Sequence, residues 1–216
     1  MGLHRAWPDA EIVGVDIKPQ PRYPFTFIQN DALLFSEKGL RGYDFIWASP
    51  PCQAHTALKT MWNAKQHEDY ISETRWMLLR ANVPYAIENV PGAPLYNPVK
   101  LCGTMFSLGC KNPEAELRRH RLFECSFPVF APKCSHGTRD TIGVYGGHHR
   151  NRRRRTIGIH GEGCQDARRK SDRGVFDFTV EHGREAMQID WMTIAELCEA
   201  IPPAYSEFIA KQVPNG

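Results

Sequence analysis

One thiol stands out by its neighbours. Ser49-Pro50-Pro51-Cys52-Gln53 follows the apolar run Tyr43-Asp44-Phe45-Ile46-Trp47-Ala48. The run reads as a buried strand, and two consecutive prolines forbid helix and ladder alike, so the chain breaks there. The break sets Cys52 at the carboxyl edge of a sheet, where ligands bind in open α/β folds. A turn that merely contains a buried cysteine has the same local signature, so the rest of the chain must decide. Two further groups could join a thiol in covalent chemistry. Glu88-Asn89-Val90 ends the apolar stretch Pro84 to Val90 in a carboxylate and an amide. Arg119-His120-Arg121 supplies two planar guanidiniums within Leu117 to Glu124, where basic and apolar residues alternate. Such alternation suits a strand with Arg119 and Arg121 on one face. Taken singly, a strand-end Glu is more often a cap or ion-pair partner, and Arg-x-Arg a surface or phosphate-binding pair.

The elements that must hold these groups alternate along the chain. Met1 to Trp7 reads as the tail of a helix. Glu11 to Asp16 and Phe25 to Ala32 read as strands with acids at or near their ends, Asp16 and Asp31. In nucleotide-binding α/β folds, such an acid accepts from ribose hydroxyls. Glu68 to Ala81 has a helical period, with Tyr70, Thr74, Met77, Leu78 and Ala81 on one face. Strand, helix, strand predicts a parallel sheet with crossover helices. Beyond Cys102 the pattern becomes irregular, with short β-like runs at Thr141 to Val144 and Thr156 to Ile159. Order returns at Thr193-Ile194-Ala195-Glu196, a capping box that opens a helix. Ile201-Pro202-Pro203 ends it, and Pro203 suits the start of another, with Tyr205, Phe208, Ile209 and Val213 toward a core.

The chain has 216 residues, 42% hydrophobic and 24% charged, ordinary for a soluble globular protein of one domain, or a domain with a small lobe. No apolar run approaches a membrane span, and a cytoplasmic protein is expected. Seven cysteines, an odd number in a chain this long, argue for reduced thiols over a disulfide framework. From Arg118 to Arg184 there are 15 Lys and Arg against 7 Asp and Glu, a net of +8; with +3 overall, the remainder carries −5. A basic segment beside a near-neutral body points to a polyanion, nucleic acid first.

In order, Pro51-Cys52-Gln53, Glu88-Asn89-Val90 and Arg119-His120-Arg121 resemble the motifs of the DNA (cytosine-5) methyltransferases. Ala48 to Gln53, Leu117 to Glu124 and Ala200 to Tyr205 resemble the short, phage-type members most. The resemblance implies an α/β, Rossmann-like S-adenosylmethionine-dependent methyltransferase fold, N-terminally truncated, with a small, basic, irregular target-recognition region. The implied division is a catalytic domain over 1–126, a recognition region over 127–185, and C-terminal helices over 186–216 that return to the catalytic domain. The implied reaction is methyl transfer to carbon 5 of a flipped-out cytosine through an adduct of Cys52 with carbon 6. Glu88 would act at ring N3, and Arg119 and Arg121 would hold the base carbonyl and the catalytic loop, with Pro51, Gln53, Asn89 and Val90 in support. S-adenosylmethionine would lie on Asp16, Ile17, Asp31, Ala32, Pro51 and Ile201. The implied partner of this monomer is double-stranded DNA, with Arg150, Arg152, Arg153, Arg154 and Arg155 on its phosphates.

The family opens on a strand and a Gly-rich loop of the type Asp-x-Phe-x-Gly-x-Gly-Gly, and Met1 to Ala6 resembles the helix after that loop. The resemblance therefore implies weak or absent methyl transfer by these 216 residues as written. Leu117 stands where many members have Gln, and Glu199 where many have Asn. Three other readings are compatible with the residues. One is a DNA-binding relic without turnover, and another is cytosine-5 chemistry with a different cofactor-derived group. The third is a zinc-stabilised nucleic-acid module using Cys102, Cys110, Cys125, Cys134, His136 and Cys164. No C-x2–4-C pair occurs, and no metal is expected.

Overall fold

In this computed structural model the described residues are 1–35, 37–55, 67–112, 114–144 and 178–214. The chain divides into two compact units. One holds Met1–Leu3, Cys102–Arg119 and Pro132–Glu207; the other holds His4–Leu101, His120–Ala131 and Phe208–Gly216. No helix among the described residues is long and apolar enough to cross a membrane.

The larger α/β part lies in the second unit. Strands β1 (Val13–Asp16) and β2 (Thr26–Gln29) pair in parallel, Asp16 opposite Gln29. Strands β3 (Ile46–Ala48) and β4 (Tyr85–Asn89) also pair in parallel. The sheet is not parallel throughout. Strand β5 (Val99–Leu101) and strand β8 (Arg121–Cys125) complete a four-stranded sheet of order β3-β4-β8-β5, in which β8 runs antiparallel to both neighbours. The strand begins at Arg121, so Arg119 precedes it and does not share a strand face with Arg121.

Helix α2 (Glu37–Leu40) precedes β3, and helix α3 (Ile71–Ala81) covers one face of this sheet. Its buried side is Ile71, Thr74, Arg75, Leu78 and Ala81. Ile71 and Leu78 pack with Tyr85 and Ile87 of β4 and with Ile46 and Ala48 of β3. The helix starts later than Glu68 because Asp69 Oδ1 accepts from the Ile71 N–H at 3.0 Å. It ends where Asn82 turns left-handed, φ 55°, and returns its N–H to the Leu78 carbonyl.

Arg75 enters the core because Glu124 of β8 meets it. Arg75 Nε and Nη2 donate to the two Glu124 oxygens at 2.7 and 2.8 Å, and the guanidinium lies 3.9 Å from the Tyr96 ring centre. The Glu124 hydrogen bond also pushes the Arg75 pKa up, against the opposing effect of burial. Removing one partner strands a buried charge. Arg75→Ala is expected to cost about 3–5 kcal/mol of stability, read as a lower urea midpoint with little change in slope.

The first unit is built from α1 (Gly2–Ala6, at its start), the hairpin β6 (Gly109–Lys111) and β7 (Glu114–Glu116), and helices α4 (Val180–Met187), α5 (Ile194–Glu199) and α6 (Pro203–Ala210); the unit boundaries pass through α1 and α6. Thr193 and Glu196 form the expected capping box at the start of α5, the Thr193 N–H donating to Glu196 Oε2 at 2.8 Å. Tyr205 and Ile209 are fully buried, as the helical period of α6 requires.

Candidate active site

The β3–β4 register carries the site. Trp47 lies opposite Ala86 and Ala48 opposite Ile87, so the residues that follow both strands emerge side by side. After β3 come Ser49, Pro50, Pro51 and Cys52; β4 ends on Glu88 and Asn89. Asn89 joins the two ends. Its Nδ2 donates to the Pro50 carbonyl at 3.0 Å, while its Oδ1 accepts from the Val90 N–H at 2.9 Å. The second bond fixes which end of the amide faces Pro50, because only the nitrogen can donate there. Cys52 is half-buried, and its carbonyl accepts from the His55 N–H at 2.9 Å. The chain then makes a single 3-10 turn, Gln53–His55. Pro51 and Gln53 are exposed, and Val90 is half-buried.

Glu88 stands on β4 opposite Phe123 of β8. Opposite residues of an antiparallel pair share a face, and a residue two further along the strand is a diagonal neighbour. Arg121 is that neighbour, and its Nε lies 2.9 Å from Glu88 Oε1. The side chains are only 10% (Glu88) and 16% (Arg121) exposed. The sheet thus sets a carboxylate and a guanidinium together at the strand end that also anchors the Pro-Pro-Cys turn.

Sequence reasoning missed a second pair near the thiol. His55 Nε2 lies 3.0 Å from Asp69 Oδ1, across the residues 56–66 that fall outside the described set. Burial acts to raise the Asp69 pKa, but the Ile71 N–H and His55 outweigh it and hold the carboxyl below its ordinary value. Nothing in the spacing of a lone His and a lone Asp marks them as partners.

Burial separates the cysteines chemically. It pushes Cys125 up to about 12, with the Glu124 charge adding to the effect, and it raises Cys102 and Cys110 as well. Burial disfavours the free thiolate in all three, and the thiolate is the nucleophilic form.

The acids expected to hold a nucleoside end neighbouring strands. Asp16 closes β1, its Oδ1 accepting from the Lys18 N–H at 2.8 Å and its Oδ2 from Gln20 Nε2 at 3.2 Å. Asp31 lies two residues beyond β2 and caps the short 3-10 turn Ala32–Leu34 through the Leu33 N–H at 2.9 Å. That cap is why the strand stops at Gln29 instead of running to Ala32. Ile17, next to Asp16, is 66% exposed, and Ala32 is exposed. An uncovered apolar side chain beside two half-buried carboxylates fits a ribose and the flat face of a purine.

Arg119 and Ile201 belong to the other unit. Arg119 is 7% exposed and donates to the Val144, Cys198 and Ala200 carbonyls, the Cys198 bond being 2.8 Å. Its own carbonyl accepts from the Tyr205 hydroxyl at 2.6 Å. A guanidinium bound to three carbonyls ties together chain segments, so the two arginines of Arg119-His120-Arg121 have different surroundings. Ile201 follows α5 and is half-buried. Arg150, Arg152, Arg153, Arg154 and Arg155 lie outside the described residues.

Among solved structures, the chain is similar to a mutant of DNMT2 from Spodoptera frugiperda, with a TM-score of 0.51 and 14% identity over 97% of this chain and 95% of that one. At that identity the likeness is one of fold. No family model matches the chain. No curated protein matches it in sequence.

Proposed function

We propose that this protein is a DNA cytosine-5 methyltransferase of the short, phage-like kind, monomeric on double-stranded DNA, with Cys52 as its nucleophile. The observation that carries the reading is the tie between strand ends: Asn89 holds the Pro50 carbonyl while its neighbour Glu88 is paired with Arg121. A thiol, a carboxyl group and a guanidinium at one strand edge match what the pyrimidine reaction needs.

Cytosine carbon 5 is a poor nucleophile. The Cys52 thiolate forms a bond to carbon 6, and the electron pair of the 5,6 double bond moves toward N3, to which Glu88, having taken a proton from solvent, hands that proton on. Arg121, beside Glu88, balances the charge on that carboxyl group as the proton leaves, in a site already poor in water. Carbon 5 is then enamine-like and takes an electrophile. Loss of the carbon-5 proton to a base, departure of the Cys52 sulfur and return of the N3 proton to Glu88 restore the ring. The base must leave the duplex stack for the thiol to reach carbon 6.

S-adenosylmethionine supplies an electrophilic methyl group when bound. Asp16 would accept from the ribose hydroxyls, the exposed Ile17 side chain would lie on the adenine, and Asp31 would accept from the adenine amine, with Ala32 and Pro51 lining the pocket. Asp16→Ala is expected to raise the Kd for S-adenosylmethionine about tenfold or more, read by calorimetry.

Transfer of a tritiated methyl group to duplex DNA, followed by nucleoside mass analysis, tests the whole reading. 5-Methylcytosine is the expected product. DNA binding without label would support a binding protein instead, and a heavier carbon-5 substituent would point to a different donor.

A further inference from the structure

The first unit gathers three soft ligands that the proposed reaction does not use. Cys102, Cys134 and His136 each present one donor atom, and these atoms lie within 4.8 Å of one another. Cys102 Sγ is 3.3 Å from His136 Nε2. Two donors held at about 2.3 and 2.1 Å from one zinc ion at the tetrahedral angle would stand about 3.6 Å apart, within a few tenths of an ångström of the separation seen. We propose that Cys102, Cys134 and His136 bind a structural zinc ion.

The local chain explains why these residues meet. Cys102 ends the run after β5 and opens the 3-10 turn Gly103–Phe106. Gly103 has no room for a side chain, since a Cβ there would stand 2.1 Å from the Leu117 carbonyl oxygen. That close approach brings the Cys102 sulfur to 3.4 Å from the Arg118 carbonyl. Cys134-Ser135-His136 lies in a stretch without helix or strand. Residues two apart on an extended chain point to the same side, so Cys-x-His delivers both ligands from one segment. The absence of a C-x2–4-C pair therefore does not count against a metal here: the ligands come as one Cys-x-His segment and one cysteine placed by a glycine contact.

The surroundings suit a metal-bound thiolate. Thr104 Oγ1 lies 3.2 Å from Cys102 Sγ, and the Thr104 N–H also points at that sulfur. Donors aimed at a coordinating sulfur are a recurring second layer around metal ligands. Cys102 is fully buried and Cys134 half-buried, and the chain there has no regular secondary structure to hold it. A structural ion would fix such a segment. Two thiolates and one imidazole leave a fourth position for a further donor.

The test uses the full chain, purified without chelator. Elemental analysis is expected to find about one zinc per chain. Replacement by cobalt(II) is expected to produce thiolate-to-cobalt charge-transfer bands and visible bands of tetrahedral intensity. Cys134→Ser and His136→Ala are each expected to weaken cobalt binding on the order of 100-fold or more. Thr104→Ala, which leaves all ligands in place, is expected to weaken it about tenfold. Substoichiometric zinc together with no thiolate–cobalt bands in the unmodified chain would overturn the proposal, as would a disulfide between Cys102 and Cys134 found by mass analysis after alkylation. These readouts need no DNA and no methyl donor, so they stand apart from the outcome of the methyltransferase assays.

Discussion

Cys52→Ser is expected to abolish cytosine chemistry, with a loss on the order of 10⁴-fold or more, while DNA binding stays within about threefold of the unmodified chain. A serine hydroxyl is far less ionised at neutral pH than a thiol, and so adds to carbon 6 far more slowly. The substitution removes one sulfur from a half-buried turn and leaves the Asn89 bond to the Pro50 carbonyl in place. Loss of chemistry with intact folding and binding is therefore the signature of a nucleophile. Cys125→Ser is the matched control. Burial holds that thiol up to about 12, and it is expected to leave chemistry unchanged. The two are compared in a DNA gel shift and in carbon-5 isotope release.

The second large effect is expected at Glu88. Glu88→Gln keeps the shape of the side chain and a hydrogen-bonding oxygen for Arg121, and it removes the transferable proton. General acid–base groups contribute about 10²–10⁴-fold, and a loss in that range is expected, again with DNA binding retained. Because Arg121 is only 16% exposed, the same substitution also leaves a guanidinium without its counter-charge. A thermal melt separates the two effects: the drop in rate must persist at temperatures where the variant is fully folded. If Glu88→Gln unfolds the protein but the folded fraction reacts at the normal rate, Glu88 is a partner for Arg121 and nothing more.

What the sequence discloses follows from how local each signal is. The strand break at Pro50-Pro51 rests on the missing N–H groups of two residues and is visible without any fold. The capping box at Thr193 and Glu196 spans four residues and is likewise self-contained. The acids Asp16 and Asp31 could be placed at strand ends because each follows a short apolar run. The opposite holds for the Arg75–Glu124 pair, whose members stand 49 residues apart and meet only because β8 inserts beside β4. The helical period left Arg75 off the buried face, since a lone charge there would be untenable; its partner on the sheet reverses that.

Arg119 shows a different failure. Alternation in Leu117 to Glu124 puts Arg119 and Arg121 on one strand face, but the strand itself begins only at Arg121. One arginine is left to bind carbonyls within its own unit, and the other meets Glu88. The Cys102, Cys134 and His136 group was hidden for a related reason. Zinc-ligand spacing is recognisable within one short segment, whereas Cys102 and Cys134 stand 32 positions apart and their close approach rests on Gly103.

The central claim is that Cys52 adds to carbon 6 of cytosine, and this is tested most directly by carbon-5 isotope release. The enamine formed on addition can take up a solvent proton at carbon 5, and elimination then frees the original hydrogen. Duplex DNA carrying tritium at cytosine carbon 5 reports that exchange without any methyl donor. The account predicts tritium release into water by the unmodified chain and none by Cys52→Ser. Release that continues undiminished in Cys52→Ser, or none by an unmodified chain that binds the same duplex, would contradict it.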